Sequence, residues 1–102
     1  MPFAKTTLDG VNTPEIIATP AGKLLNLNVS AVNASQDRAV VKFYIHAANV
    51  APTDADIFDM ATLDQAGLLE RSGVILPENM AVSVFSDTAA INAFAWGLEA
   101  LA

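Results

Sequence analysis

Leu24-Leu25-Asn26-Leu27-Asn28-Val29-Ser30-Ala31-Val32-Asn33 sets Leu25, Leu27, Val29 and Ala31 on one side of an extended chain and Asn26, Asn28 and Ser30 on the other. Successive strand side chains point to opposite faces, so this alternation reads as a strand with one buried and one solvated side. After the polar break Asn33-Ala34-Ser35-Gln36-Asp37, the stretch Arg38 to Ala47 alternates again. Val41, Phe43, Ile45 and Ala47 stand opposite Val40, Lys42, Tyr44 and His46. The two runs read as a hairpin closed by a loop of about four or five residues.

Working outward, Pro20-Ala21-Gly22 is a turn that separates a short strand, Glu15 to Thr19, from Leu24 onward. Proline fixes φ there and glycine is free to take the left-handed region. Val50-Ala51-Pro52-Thr53-Asp54-Ala55-Asp56 is a loop, and Ile57 to Leu63 is an apolar stretch of ambiguous period. Two glycines and a proline between Gly67 and Pro77 exclude a long helix and leave one or two short strands. Met80, Val82 and Val84 alternate with Ala81, Ser83 and Phe85. Last, Phe94, Trp96 and Leu98 alternate with Ala93, Ala95 and Gly97.

Turn-bounded short strands with no ten-residue helical period predict an all-β fold: an antiparallel β-sandwich or jelly roll of about seven or eight strands. Residues 1–102 form one domain, with 1–14 as an N-terminal arm. The expected core is Leu27, Val29, Phe43, Ile45, Val82, Val84, Phe94 and Trp96, between two sheets about 10 Å apart. The opposite side of the last strand is smooth and small, and suits close approach by another subunit. Val40, Tyr44, Phe85, Ala93 and Ala95 are therefore the expected interface residues.

Composition supports association. Of 102 residues, 53% are hydrophobic and only 16% charged, so apolar surface is left over for partners. The net charge of −6 and the scatter of Lys5, Lys23, Arg38, Lys42 and Arg71 argue against nucleic acid and anionic membranes, which need clustered basic residues. Without cysteine there is neither a disulfide framework nor a thiolate metal site. The start, Met1-Pro2-Phe3-Ala4-Lys5-Thr6-Thr7, lacks the apolar region of a secretory signal, and no run reaches the ~18 apolar residues of a membrane-spanning helix.

Chemistry is sparse. His46 is the single histidine, and its strand position predicts a half-exposed side chain without catalytic partners. Asp54, Asp56, Asp59 and Asp64 are the one acidic cluster. Phe58 stands where a calcium loop of the EF-hand type needs Asp or Asn, so the expectation is a solvated loop and no metal or cofactor. Asn28-Val29-Ser30 and Asn33-Ala34-Ser35 match the glycosylation acceptor, but without a secretory signal they read as chance matches. Glu70-Arg71 could serve an exposed intersubunit ion pair, worth roughly 0–1 kcal/mol.

Three segments carry a resemblance: Ala18-Thr19-Pro20-Ala21-Gly22-Lys23 leading into Leu27-Asn28-Val29, then Leu69-Glu70-Arg71-Ser72-Gly73-Val74-Ile75-Leu76, then Ala95-Trp96-Gly97-Leu98-Glu99. Together they resemble small virion structural proteins of tailed bacteriophages, cyanophages and marine phages among them, which occur alone or as modules of fibre-like proteins. The resemblance implies a non-enzymatic component assembled in the host cytoplasm and located in the virion. The leading expectation is a capsid decoration, or cement, protein: a homotrimer contacting the major capsid protein. A tail, neck or fibre adaptor is the alternative, and a carbohydrate-binding lectin-like module a second one.

Overall fold

The computed structural model describes residues 2–102, which form eight strands: β1 (Phe3–Asp9), β2 (Glu15–Ala18), β3 (Lys23–Asn33), β4 (Ala39–Ala47), β5 (Ile57–Leu63), β6 (Leu68–Leu76), β7 (Met80–Ser86) and β8 (Ala89–Leu101). A single 3-10 turn, Asp54–Asp56, precedes β5. Sheet I has the order β1-β8-β3-β6 and sheet II the order β2-β7-β4-β5. Every ladder is antiparallel. Two four-stranded sheets whose chain passes repeatedly from one to the other form the double Greek key of a jelly roll.

Three expectations are corrected by this topology. Residues 3–9 are not an arm, because Phe3–Asp9 pairs along its length with β8. The runs 24–33 and 38–47 are not a hairpin. β3 pairs with β6 and β8 in sheet I, whereas β4 pairs with β5 and β7 in sheet II. Their connection crosses between sheets, and buried Asn33 fastens the crossing. Its side-chain amide donates to the carbonyls of Asp37 (2.8 Å) and Leu63 (3.1 Å), while its Oδ1 accepts from the Ser35 N–H and hydroxyl.

The third correction concerns β8. Leu27, Val29, Phe43, Val82 and Val84 are fully buried between the sheets, and Ile45 packs against them. Phe94 and Trp96, also expected inside, lie on the outer surface of sheet I, while Ile91, Ala93 and Ala95 face inward. Cross-strand neighbours share a face. Ala93 lies beside Ala31, Ala95 beside Val29 and Gly97 beside Leu27, so the inward side of β3 fixes that of β8. Gly97 shows why small residues are needed there: a Cβ at this position would collide with the Asn26 carbonyl of β3. The bulk filling the sandwich comes from the other strands, notably Leu8, Leu25, Phe43 and Leu76.

Candidate functional site

Inverting β8 places Phe94 and Trp96 on the outer face of sheet I, beside the exposed Phe3 and Leu98. The residues of that face fall in rows across the strands. Phe3, Trp96 and Asn28 form one row, and Lys5, Phe94, Ser30 and Glu70 the next. Thr7, Asn92, Val32 and Leu68 follow on one side, and Leu98, Asn26 and Ile75 on the other. Phe3 and Leu98 are 60% and 65% exposed, while Phe94 and Trp96 are partly covered. Phe3, Ser30, Val32, Phe94 and Trp96 line a shallow apolar depression, and Lys5, Thr7 and Asn92 border a more polar one beside it.

The outer face of sheet II carries Val40, Lys42, Tyr44 and His46 from β4 beside Phe85 and Ser83 from β7. Val40 and Phe85 are partly exposed, as an interface role requires, and the Lys42 ammonium sits 5.8 Å from the Phe85 ring centre. Tyr44 is buried, contrary to expectation, because the Asp54–Asp56 turn packs against β4. Burial, and secondarily the nearby Asp54 carboxylate, raise its phenol above the ordinary value of 10.0. Ala93 and Ala95, the remaining expected interface residues, are core residues and cannot meet a partner.

His46 is also buried rather than half-exposed. Its Nε2 lies 2.6 Å from Ser83 Oγ and its Nδ1 2.9 Å from the Ala47 carbonyl. A carbonyl oxygen can only accept, so Nδ1 carries the proton and Nε2 accepts from the Ser83 hydroxyl. This is the hydrogen-bond order of a serine nucleophile and its base. Ser83 is nevertheless 0% exposed, so the pair has no path to a substrate in this conformation, and it clips β4 to β7.

The acidic cluster is dispersed by the fold. Asp56 accepts from the Thr53 N–H at 2.8 Å, Asp59 pairs with Arg71 at 3.1 Å, and Asp64 pairs with Arg38 at 3.0 Å. Arg71, which the sequence left open to an exposed intersubunit pair of little weight, thus bridges sheet I to sheet II within one molecule. Among the described residues no three His, Cys, Asp or Glu side chains gather as a metal site. Both acceptor asparagines lie in β3, Asn33 fully buried and Asn28 partly exposed.

Sequence reasoning missed Phe3, Leu68 and Ile75 as members of an outward face. The weak alternation of Phe3-Ala4-Lys5-Thr6-Thr7-Leu8 is the signal that could have found the first. The chain matches no protein-family model, and a search of curated proteins finds no similar sequence.

Proposed function

We propose that this chain is a non-enzymatic structural protein that decorates the head of a tailed-phage particle and braces neighbouring capsid subunits. The observation that carries the reading is the presence of apolar side chains on both outward faces of one small sandwich. Phe3, Phe94, Trp96 and Leu98 lie on one side, and Val40, Met60 and Phe85 on the other. A brace needs two separate contact surfaces, whereas a simple binding module needs one. Contacts weak individually become strong when repeated by the symmetry of a shell. The jelly roll is compatible with this role, being used by viral capsid and lectin domains alike, but fold alone does not decide function.

The acidic surface, at net −6, would orient the chain toward basic patches of the major capsid protein and make attachment salt-dependent. The test is the resistance of particles, with and without the chain, to heat and osmotic shock. Lower resistance without it supports bracing, and equal resistance removes that reading.

Trp96 favours a second reading. With Phe94 it stands outward beside Asn28 and Ser30, giving the ring-plus-polar-neighbour surface on which a sugar can stack. Titrating purified chain with saccharides while following the fluorescence of this single tryptophan tests it directly.

A further inference from the structure

We infer that a second copy of this chain packs on the outer face of sheet I, related to the first by a two-fold axis parallel to the strands. The inference rests on the proposed function and refines it: a copy covers this face in a dimer, in place of the trimer that the resemblance implies, and the two sheet II faces, turned away from each other, are left to meet capsid subunits.

A two-fold axis in the interface, running along the strands midway between β8 and β3, places β1 of one copy over β6 of the other and β8 over β3. Each row then meets its own reverse. In the row Lys5, Phe94, Ser30, Glu70, the lysine of one copy falls on the glutamate of the other, and the aromatic ring falls on the small serine. Neither Lys5 nor Glu70 belongs to an ion pair among the described residues. In the next row, Trp96 falls on Asn28. Phe3 falls where β6 bulges through Ser72 and Gly73, a glycine with open space around its missing side chain. Bulk therefore meets smaller residues in both rows, and in the first of them charge also meets its opposite.

The other two-fold arrangement, with the axis across the strands, lacks these matches. It lays each strand over its own copy, so Lys5 of β1 cannot meet Glu70 of β6, and an axis between the two rows sets Phe94 on Trp96, crowding the rings. Sheets packed face to face keep their strands within about 30° of parallel, which the favoured axis allows.

The strands of sheet I have 7, 13, 11 and 9 residues. At about 3.3 Å per residue and 4.8 Å between strands, the face measures on the order of 600 Å² per copy. Twice that lies at the lower edge of stable interfaces, which suits a dimer with a dissociation constant of about micromolar to tens of micromolar. Two copies at net −6 repel at long range, so association is read at physiological ionic strength, where the screening length is about 8 Å.

The experiment is sedimentation of the full chain from about 1 to 500 μM, bracketing the expected constant, for wild type, Lys5→Glu, Glu70→Lys and an equimolar mixture of the two variants. Both substitutions are at exposed positions, and circular dichroism checks that the fold is retained. Wild type should form dimers, with the Trp96 emission moving to the blue as the ring is covered. Each variant alone places two like-charged pairs in its homodimer and should dissociate about tenfold more readily. In the mixture every pair is opposite again, so association should return to near the wild-type level. A wild type that stays monomeric or forms another oligomer overturns the pairing, as does a mixture no tighter than its components. Monomers whose Trp96 emission responds to saccharide would place a sugar on the face instead. A monomeric chain that still strengthens particles would remove the dimer and leave the proposed function standing.

Discussion

Gly97→Ala separates the two orientations of β8. In an ordinary exposed strand position the change would be neutral or stabilising by about 0.4–1 kcal/mol, because alanine restricts the unfolded chain. In this structure Gly97 faces inward beside Leu27, and the added carbon would strike the Asn26 carbonyl while lying 2.9 Å from Leu27 Cα. Both obstacles are backbone of the adjacent central strand, so no side chain can swing aside. β3 and β8 must separate locally, and losing two or three ladder hydrogen bonds at about 1 kcal/mol each gives a destabilisation of about 2–3 kcal/mol. That is a large share of the ~5–15 kcal/mol of a typical domain. Urea denaturation followed by circular dichroism, comparing midpoints at constant slope, measures it. A variant as stable as wild type, or more stable, would show Gly97 facing solvent and would refute the inward placement of Ala93 and Ala95 with it.

Phe43, fully buried and 5.9 Å from the Phe58 ring centre, should cost about 3–5 kcal/mol on truncation to alanine by the same assay. Ser83→Ala strands the buried His46 Nε2 without its donor and should cost about 1–3 kcal/mol, with a smaller loss indicating that water replaces the hydroxyl. Asp9 accepts from the Asn12 N–H (2.8 Å), the Val11 N–H (2.9 Å) and the Asn12 side-chain amide, which hold its carboxyl below the ordinary 3.8. Its folded-state value is depressed, so its contribution is present above the unfolded value and is lost as pH falls below about 4 through the folded one. Asp9→Asn should flatten that part of the stability-against-pH curve, and an unchanged acid limb would count against the loop geometry.

The strands whose two faces differ in polarity were legible, because burial of one side is written into their alternation. β3 and β7 run almost as read, and β4 differs in its partner and in the burial of Tyr44 and His46. β8 was legible as a strand but not in orientation. Both its faces are apolar, and the larger side chains drew the core assignment to Phe94 and Trp96. The small ones are inside because the neighbouring backbone leaves no room at Gly97. β1 was hidden by Lys5, Thr6 and Thr7, polar residues tolerated on an edge strand. The crossing from β3 to β4 reads as a hairpin because five residues suffice for either, and what distinguishes them is long-range: the pairing of the two strands in different sheets and the bond from Asn33 to the Leu63 carbonyl. Burial of Tyr44 depends on the Asp54–Asp56 turn folding back on β4, and that of His46 goes with its bond to Ser83 of β7, neither of which a local pattern encodes.

These corrections change the surface available for assembly more than they change the fold. Removing Ala93, Ala95 and Tyr44 from the interface leaves Val40 and Phe85 on sheet II. It adds on sheet I the very aromatics expected in the core. Bracing therefore has two faces to work with, and the role proposed for them has a location that can be seen.

The most direct measurement of the proposed role is a pair of density maps of tailed-phage particles assembled with and without this chain. The difference density should lie on the outer head surface, in contact with two or more capsid subunits, with an outward sheet face of the jelly roll at each contact. Difference density confined to the neck, tail or fibres, or head-surface density touching a single subunit, would contradict the bracing role.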